Sequence, residues 1–166
     1  MAPGKEKIFG FASSRRLKSA RDYAEILRAP AGPSFRSGRQ LMAINGTWST
    51  AAGISSNSGV VRFGVTVGKR NVKRAVDRIL VKRILREACR HRAAPLESCA
   101  VRAGACIDIV LRLKSPLVTT GGTALTVAQW RLQVRMEADS LLQQMLSELS
   151  EKLIAVVPVD AKNSTE

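Results

Sequence analysis

The sequence predicts an α+β domain, a small sandwich whose helices cover one face of a short sheet, with the element order α-β-β-α-β-α. Apolar residues recur at helical spacing in three segments, and runs rich in β-branched residues lie between them. At 166 residues and 45% hydrophobic composition, the chain can bury one genuine core. Residues 15–154 are expected to form the domain, with 1–14 a flexible leader and 155–166 a flexible tail.

The first helix is expected from Leu17 to Leu27, where Leu17, Ala20, Tyr23, Ala24 and Leu27 share a face, and it stops before the Pro and Gly of APAGP. GRQLMAIN, 38–45, reads as a strand. The uncharged, Ser-rich stretch within 46–59 reads as a loop. VVRFGVTVG, 60–68, is a second strand, followed by a helix from about Val72 to Arg90 that Pro95 closes. ACIDIVLRL, 105–113, is a short apolar run suited to a buried strand. Thr126 and Gln129 form a capping-box signature before a long helix over 127–153, with Val134, Ala138, Leu141, Leu142, Met145 and Leu149 as its apolar stripe.

Charge narrows the function. The chain carries 27 Lys and Arg against 13 Asp and Glu, a formal net charge of +14. Residues 1–39 hold nine basic and three acidic side chains, residues 60–92 hold eleven and two, and residues 93–166 hold seven and eight. The face that meets a polyanion is therefore built from the first 92 residues, and the rest is scaffold. Composition alone leaves RNA, DNA, an anionic membrane surface and an acidic protein open. No stretch approaches the roughly 18 apolar residues of a membrane span, and no secretory signal opens the chain, so a cytoplasmic location is expected. Cys89, Cys99 and Cys106 form no CxxC pair and are expected to be reduced.

The segment 69–90, KRNVKRAVDRILVKRILREACR, carries the strongest signal. Arg74, Arg78, Lys82, Arg86 and Arg90 recur at i, i+4, as do Val72, Val76, Leu80, Ile84 and Ala88, so one basic and one apolar face are expected. Stacked cations repel each other unless an external anion compensates, and only Asp77 and Glu87 lie close enough to pair locally. The apolar face lacks the aromatic bulk of a membrane-surface helix, which favours a nucleic acid.

Residues 62–87, RFGVTVGKRNVKRAVDRILVKRILRE, closely resemble the signature of the bacterial ribonuclease P protein subunit, in which an RxGxTV strand runs through a basic turn into a helix ending KRxxRE. The matching residues are Arg62, Gly64, Thr66, Val67, Lys69, Arg70, Asn71, Lys73, Arg74, Ala75, Arg78, Lys82, Arg83, Arg86 and Glu87. RRLKSARDYAEIL, within 15–45, and the strand and closing helix at 105–150 are similar more weakly. The resemblance implies a sandwich of the ribosomal protein S5 domain 2-like type with a left-handed βαβ crossover, an exception to the usual handedness. It also implies that the protein binds a catalytic RNA and the 5′ leader of precursor tRNA, and that the RNA, with Mg²⁺, removes the leader to make the mature 5′ end. The implied RNA-binding residues are Lys69, Arg70, Lys73, Arg74, Arg78, Lys82, Arg83 and Arg86. The implied leader cleft involves Tyr23, Arg62 and Arg16, and no protein side chain is catalytic. A generic basic RNA-binding or ribosomal-type protein is the alternative.

Two departures stand out. The family's Arg-Asn-Arg falls on Arg78, Ile79 and Leu80, and the two apolar residues are expected to extend core packing. Leu27 replaces the second of two Phe positions in the first helix, so base stacking is not expected there. Arg15, Arg16 and Lys18 add general phosphate attraction.

Protein-only catalysis finds no support in the residues. His91 is the sole His, and no Ser or Cys forms a relay with it. Cys89, His91, Cys99 and Cys106 could supply four zinc ligands by count but not by spacing, so no metal site is expected. Glu137, Asp139, Glu148 and Glu151 read as a solvated helix face, and Trp48 and Trp130 as structural.

Overall fold

The computed structural model describes residues 12–50, 61–117, 119–120 and 123–154. Most of the expected leader (1–11), the middle of the expected loop (51–60) and the expected tail (155–166) lie outside the described residues. A short 3-10 turn, Ser13–Arg15, leads to α1 (Ala20–Arg28), β1 (Ser34–Gly38), β2 (Met42–Thr50), β3 (Val61–Val67), α2 (Ala75–Ala103) and β4 (Ala105–Leu113). A minor hairpin of β5 (Thr119–Thr120) and β6 (Thr123–Ala124) precedes α3 (Val127–Ile154). The main sheet has the order β1-β2-β4-β3, antiparallel except for β3 beside β4. A parallel pair needs a crossover, and α2 is that connection.

Register sorts the sheet into two faces. Met42, Ile44, Phe63, Ile107, Ile109, Leu111 and Leu113 are buried in the main core with residues of α2 and α3. The alternate residues face the other way, where α1 lies, and Val110 there packs with Leu17 and Ile26 in a smaller cluster. The expected stripe of α3 is buried from Val134 to Leu149. Its capping box also forms, with Gln129 Oε1 accepting from the Thr126 N–H at 2.9 Å and Thr126 Oγ1 from the Gln129 N–H at 3.3 Å.

Several expectations are corrected. The single strand over 38–45 is a hairpin: Gly38 ends β1, and the Arg39 N–H donates to the Met42 carbonyl at 2.8 Å across the turn. Glu137 on α3 accepts from the Leu41 and Met42 N–H groups at 2.8 and 2.9 Å, satisfying donors that the turn exposes. β2 then continues through Thr50, in what reads as loop, because Thr47–Thr50 find partners on Ala105–Asp108 of β4.

α2 starts at Ala75 and runs through Pro95 to Ala103. Pro95 forfeits one backbone donor, but burial of Leu96, Cys99 and Ala100 outweighs that loss. Gly104 ends the helix in the left-handed conformation (φ 59°).

The apolar face of α2 is also displaced. Residues four apart are 400° apart on a helix, so the row Val72 to Ala88 drifts about 40° at each step and winds off the core. The structure instead buries Val81, Leu85, Ala88, Cys89, Leu96, Cys99 and Ala100, while Val76 is 66% exposed. Ile79, expected to extend core packing, is 63% exposed; Leu80 is half-buried against the core. The cation row drifts in the same way, and its members meet different surroundings.

Candidate nucleic-acid interface

The strand β3 enters the basic turn through Gly68, whose carbonyl accepts from the N–H groups of Asn71 (3.1 Å) and Val72 (3.2 Å). Asn71 is buried, and its side-chain amide donates to the Leu113 carbonyl at 2.8 Å, tying the turn to the end of β4. Its own carbonyl accepts from the Leu117 N–H at 3.3 Å. Held this way, Lys69, Arg70, Lys73 and Arg74 are exposed, and along α2 they are followed by half-exposed Lys82 and exposed Arg83 and Arg86.

Three members of the cation row have partners within the fold; the loosest is exposed Arg74, whose Nε lies 3.8 Å from Asp77 Oδ2. Arg78 folds back, its Nη1 donating to the carbonyls of Val72 (3.0 Å) and Lys73 (2.6 Å). Arg90 is paired with Glu87, with Nε to Oε2 at 3.1 Å, and His91 Nε2 lies 3.1 Å from the same carboxylate. The Arg90 hydrogen bond holds the Glu87 carboxyl at about 2, well below the usual range, with a smaller effect from His91.

A second feature lies beside α2. Arg16, Leu17, Tyr23, Phe63, Val65 and Arg86 line a pocket of about 70 Å³. The N-terminal segment reaches it by bridging to β3, where the Leu17 N–H donates to the Phe63 carbonyl at 2.9 Å. Ser19 caps α1, its Oγ accepting from the N–H groups of Arg21 and Asp22 at 3.1 and 3.2 Å, and this places Tyr23 over β3. Burial raises the Tyr23 phenol above its ordinary value, opposed by backbone hydrogen bonding at Val65 and by the charge of Arg86. The phenol is therefore neutral at physiological pH.

Of the sequence-predicted cleft residues, Arg16 and Tyr23 come together here. Arg62 does not line this pocket. It alternates with Phe63 onto the α1 face and is held in a two-point pair with Asp108 (2.8 and 2.6 Å), with Asp22 at 3.9 Å. The pair spans directly opposed residues of β3 and β4 and braces their parallel register. Sequence reasoning placed Arg86 on the helix face alone; the tertiary structure makes it a wall of the pocket as well. Among the described residues, no three His, Cys, Asp or Glu side chains cluster as metal ligands. Cys89 and Cys99 are buried while His91 is exposed, so the counted zinc set does not converge. No helix among the described residues is long and apolar enough to cross a membrane.

The fold and its charge define a class: a small α+β domain whose parallel βαβ unit presents a cationic turn and helix. The family model for ribonuclease P matches residues 11–137, and the chain belongs to that family as its protein component. The solved structure of the Staphylococcus aureus RNase P protein is similar in fold, with a TM-score of 0.50 and 17% identity over 79% of this chain and 94% of that one. A search of curated protein sequences finds no match.

Proposed function

We propose that this protein binds the catalytic RNA of ribonuclease P through Lys69, Arg70, Lys73, Arg74, Lys82, Arg83 and Arg86, and takes the 5′ leader of precursor tRNA beside Arg16 and Tyr23. The chemistry is hydrolysis at the mature 5′ end by the RNA with its Mg²⁺; the protein contributes electrostatics and positioning. The observation that carries this reading is the location of Arg86. It stands on the cationic helix and also walls the Arg16–Tyr23 pocket, which supports assigning the helix and the pocket to neighbouring stretches of RNA. A charged groove with an aromatic wall suits a single strand.

Reconstitution tests it. The purified chain is mixed with a bacterial ribonuclease P RNA and 5′-labelled precursor tRNA at low Mg²⁺, where RNA alone cleaves poorly. Cleavage at the mature 5′ end supports the reading. Tight, salt-sensitive RNA binding without stimulation, repeated with the cognate RNA, favours a generic RNA-binding protein.

A further inference from the structure

Arg78 is half-buried, and both of its observed hydrogen bonds go to backbone carbonyls rather than to solvent. Those carbonyls belong to the two peptide units that flank the Cα of Lys73. Because each peptide is planar, fixing both planes fixes the two dihedrals of Lys73, and with them the direction in which its side chain leaves the backbone. On the other side of the turn, Asn71 is held by Gly68, Leu113 and Leu117. Between Val72, which is buried in the core, and α2, the chain is otherwise tied by the Arg78 N–H to Arg74 carbonyl bond at 3.1 Å and by the looser Arg74–Asp77 ion pair at 3.8 Å. The guanidinium has a second effect: it neutralises two carbonyl dipoles at the base of a surface that faces phosphates.

We propose that Arg78 is a positioning residue, which sets the display of Lys73 and Arg74 by clamping the Val72 and Lys73 carbonyls, instead of adding a phosphate contact of its own. This rests on reading the turn and α2 as the RNA-facing surface. It also accounts for a functional Arg at 78 when the next two positions are Ile79 and Leu80, because the clamp needs only the first side chain of that triplet.

The test compares Arg78→Gln with Arg83→Gln in the full chain, using two readouts. One is the salt dependence of binding to a bacterial ribonuclease P RNA. The other is amide exchange of Val72 in the RNA-free protein, with Asn71 as the reference amide. Arg83→Gln should lower the log-log salt slope by about 0.7 to 0.9, one phosphate contact, and leave both amides unchanged. Arg78→Gln should lower the slope by about twice that, since Lys73 and Arg74 lose their placement together, and should speed exchange of the Val72 amide about tenfold while that of Asn71, held independently, stays near wild type. Matching behaviour of the two variants in both readouts overturns the proposal. If Arg83→Gln leaves the slope unchanged, the RNA-facing reading fails instead, while the amide comparison still decides the clamp. Should Arg78→Gln not fold, Arg78→Lys keeps the charge but ends short of the Nη1 position: faster amide exchange supports the clamp, and exchange and slope equal to wild type overturn it.

Discussion

The ring of Tyr23 occupies the space that a side chain at Gly64 would need: a Cβ there would lie 2.6 Å from Tyr23 Cε1, Cζ and Oη. The Gly of RxGxTV is thus a docking seat for α1 on β3, and it sets the depth of the pocket beside Arg86. Gly64→Ala should displace the ring and destabilise the fold by about 1–3 kcal/mol, the usual cost of overpacking. Adding Tyr23→Ala should recover part of that loss. Thermal unfolding of the single and double variants measures both effects, and an additive result would show that the two positions are not coupled.

Arg86 belongs to both halves of the candidate interface. Arg86→Gln should weaken binding of precursor tRNA with its leader more than binding of mature tRNA to the reconstituted complex, whereas Arg83→Gln should weaken the two equally. Equilibrium binding with leader-bearing and leaderless tRNA distinguishes these outcomes.

Glu87 withholds Arg90 from an external anion. Glu87→Gln should release it, raising RNA affinity and steepening the log-log salt slope by about 0.7 to 0.9. A salt titration of wild type and variant checks this, and an unchanged slope would place Arg90 away from the RNA.

The same carboxylate sets a pH dependence. Its folded value of about 2 lies below the ordinary carboxylate range, so the stabilisation is present above that range and is lost as pH falls through about 2. The Glu87 side chain is 40% exposed, which screens the pair and keeps the effect within about 1 kcal/mol. An NMR titration of the Glu87 carboxyl should find its midpoint below the ordinary carboxylate range, and Arg90→Ala should move it upward.

Glu137 is a structural anion at the β1–β2 turn. Glu137→Ala leaves the Leu41 and Met42 N–H groups without their acceptor and should cost about 1–3 kcal/mol in denaturant unfolding. RNA affinity measured well below the unfolding midpoint should not change.

The local rules of the chain determined a good deal. The capping box and the stripe of α3 could be read directly because Thr126–Gln129 and the i, i+3, i+4 pattern are satisfied within the helix itself. β4 was legible because its apolar run matches the observed strand. The basic turn and its family were legible because their residues are contiguous.

What only the tertiary structure decided involves partners distant in sequence. Thr47–Thr50 become strand because β4 is waiting for them, and α2 passes Pro95 because the core rewards burial beyond it. Arg86 reaches a pocket built from residues 16 to 65, and Arg62 finds Asp108 through strand pairing. Arg78 turns onto its own chain, a contact that charge periodicity does not encode. Periodicity records which residues are apolar or charged; the side of the helix that faces the core is fixed only when sheet and helices pack.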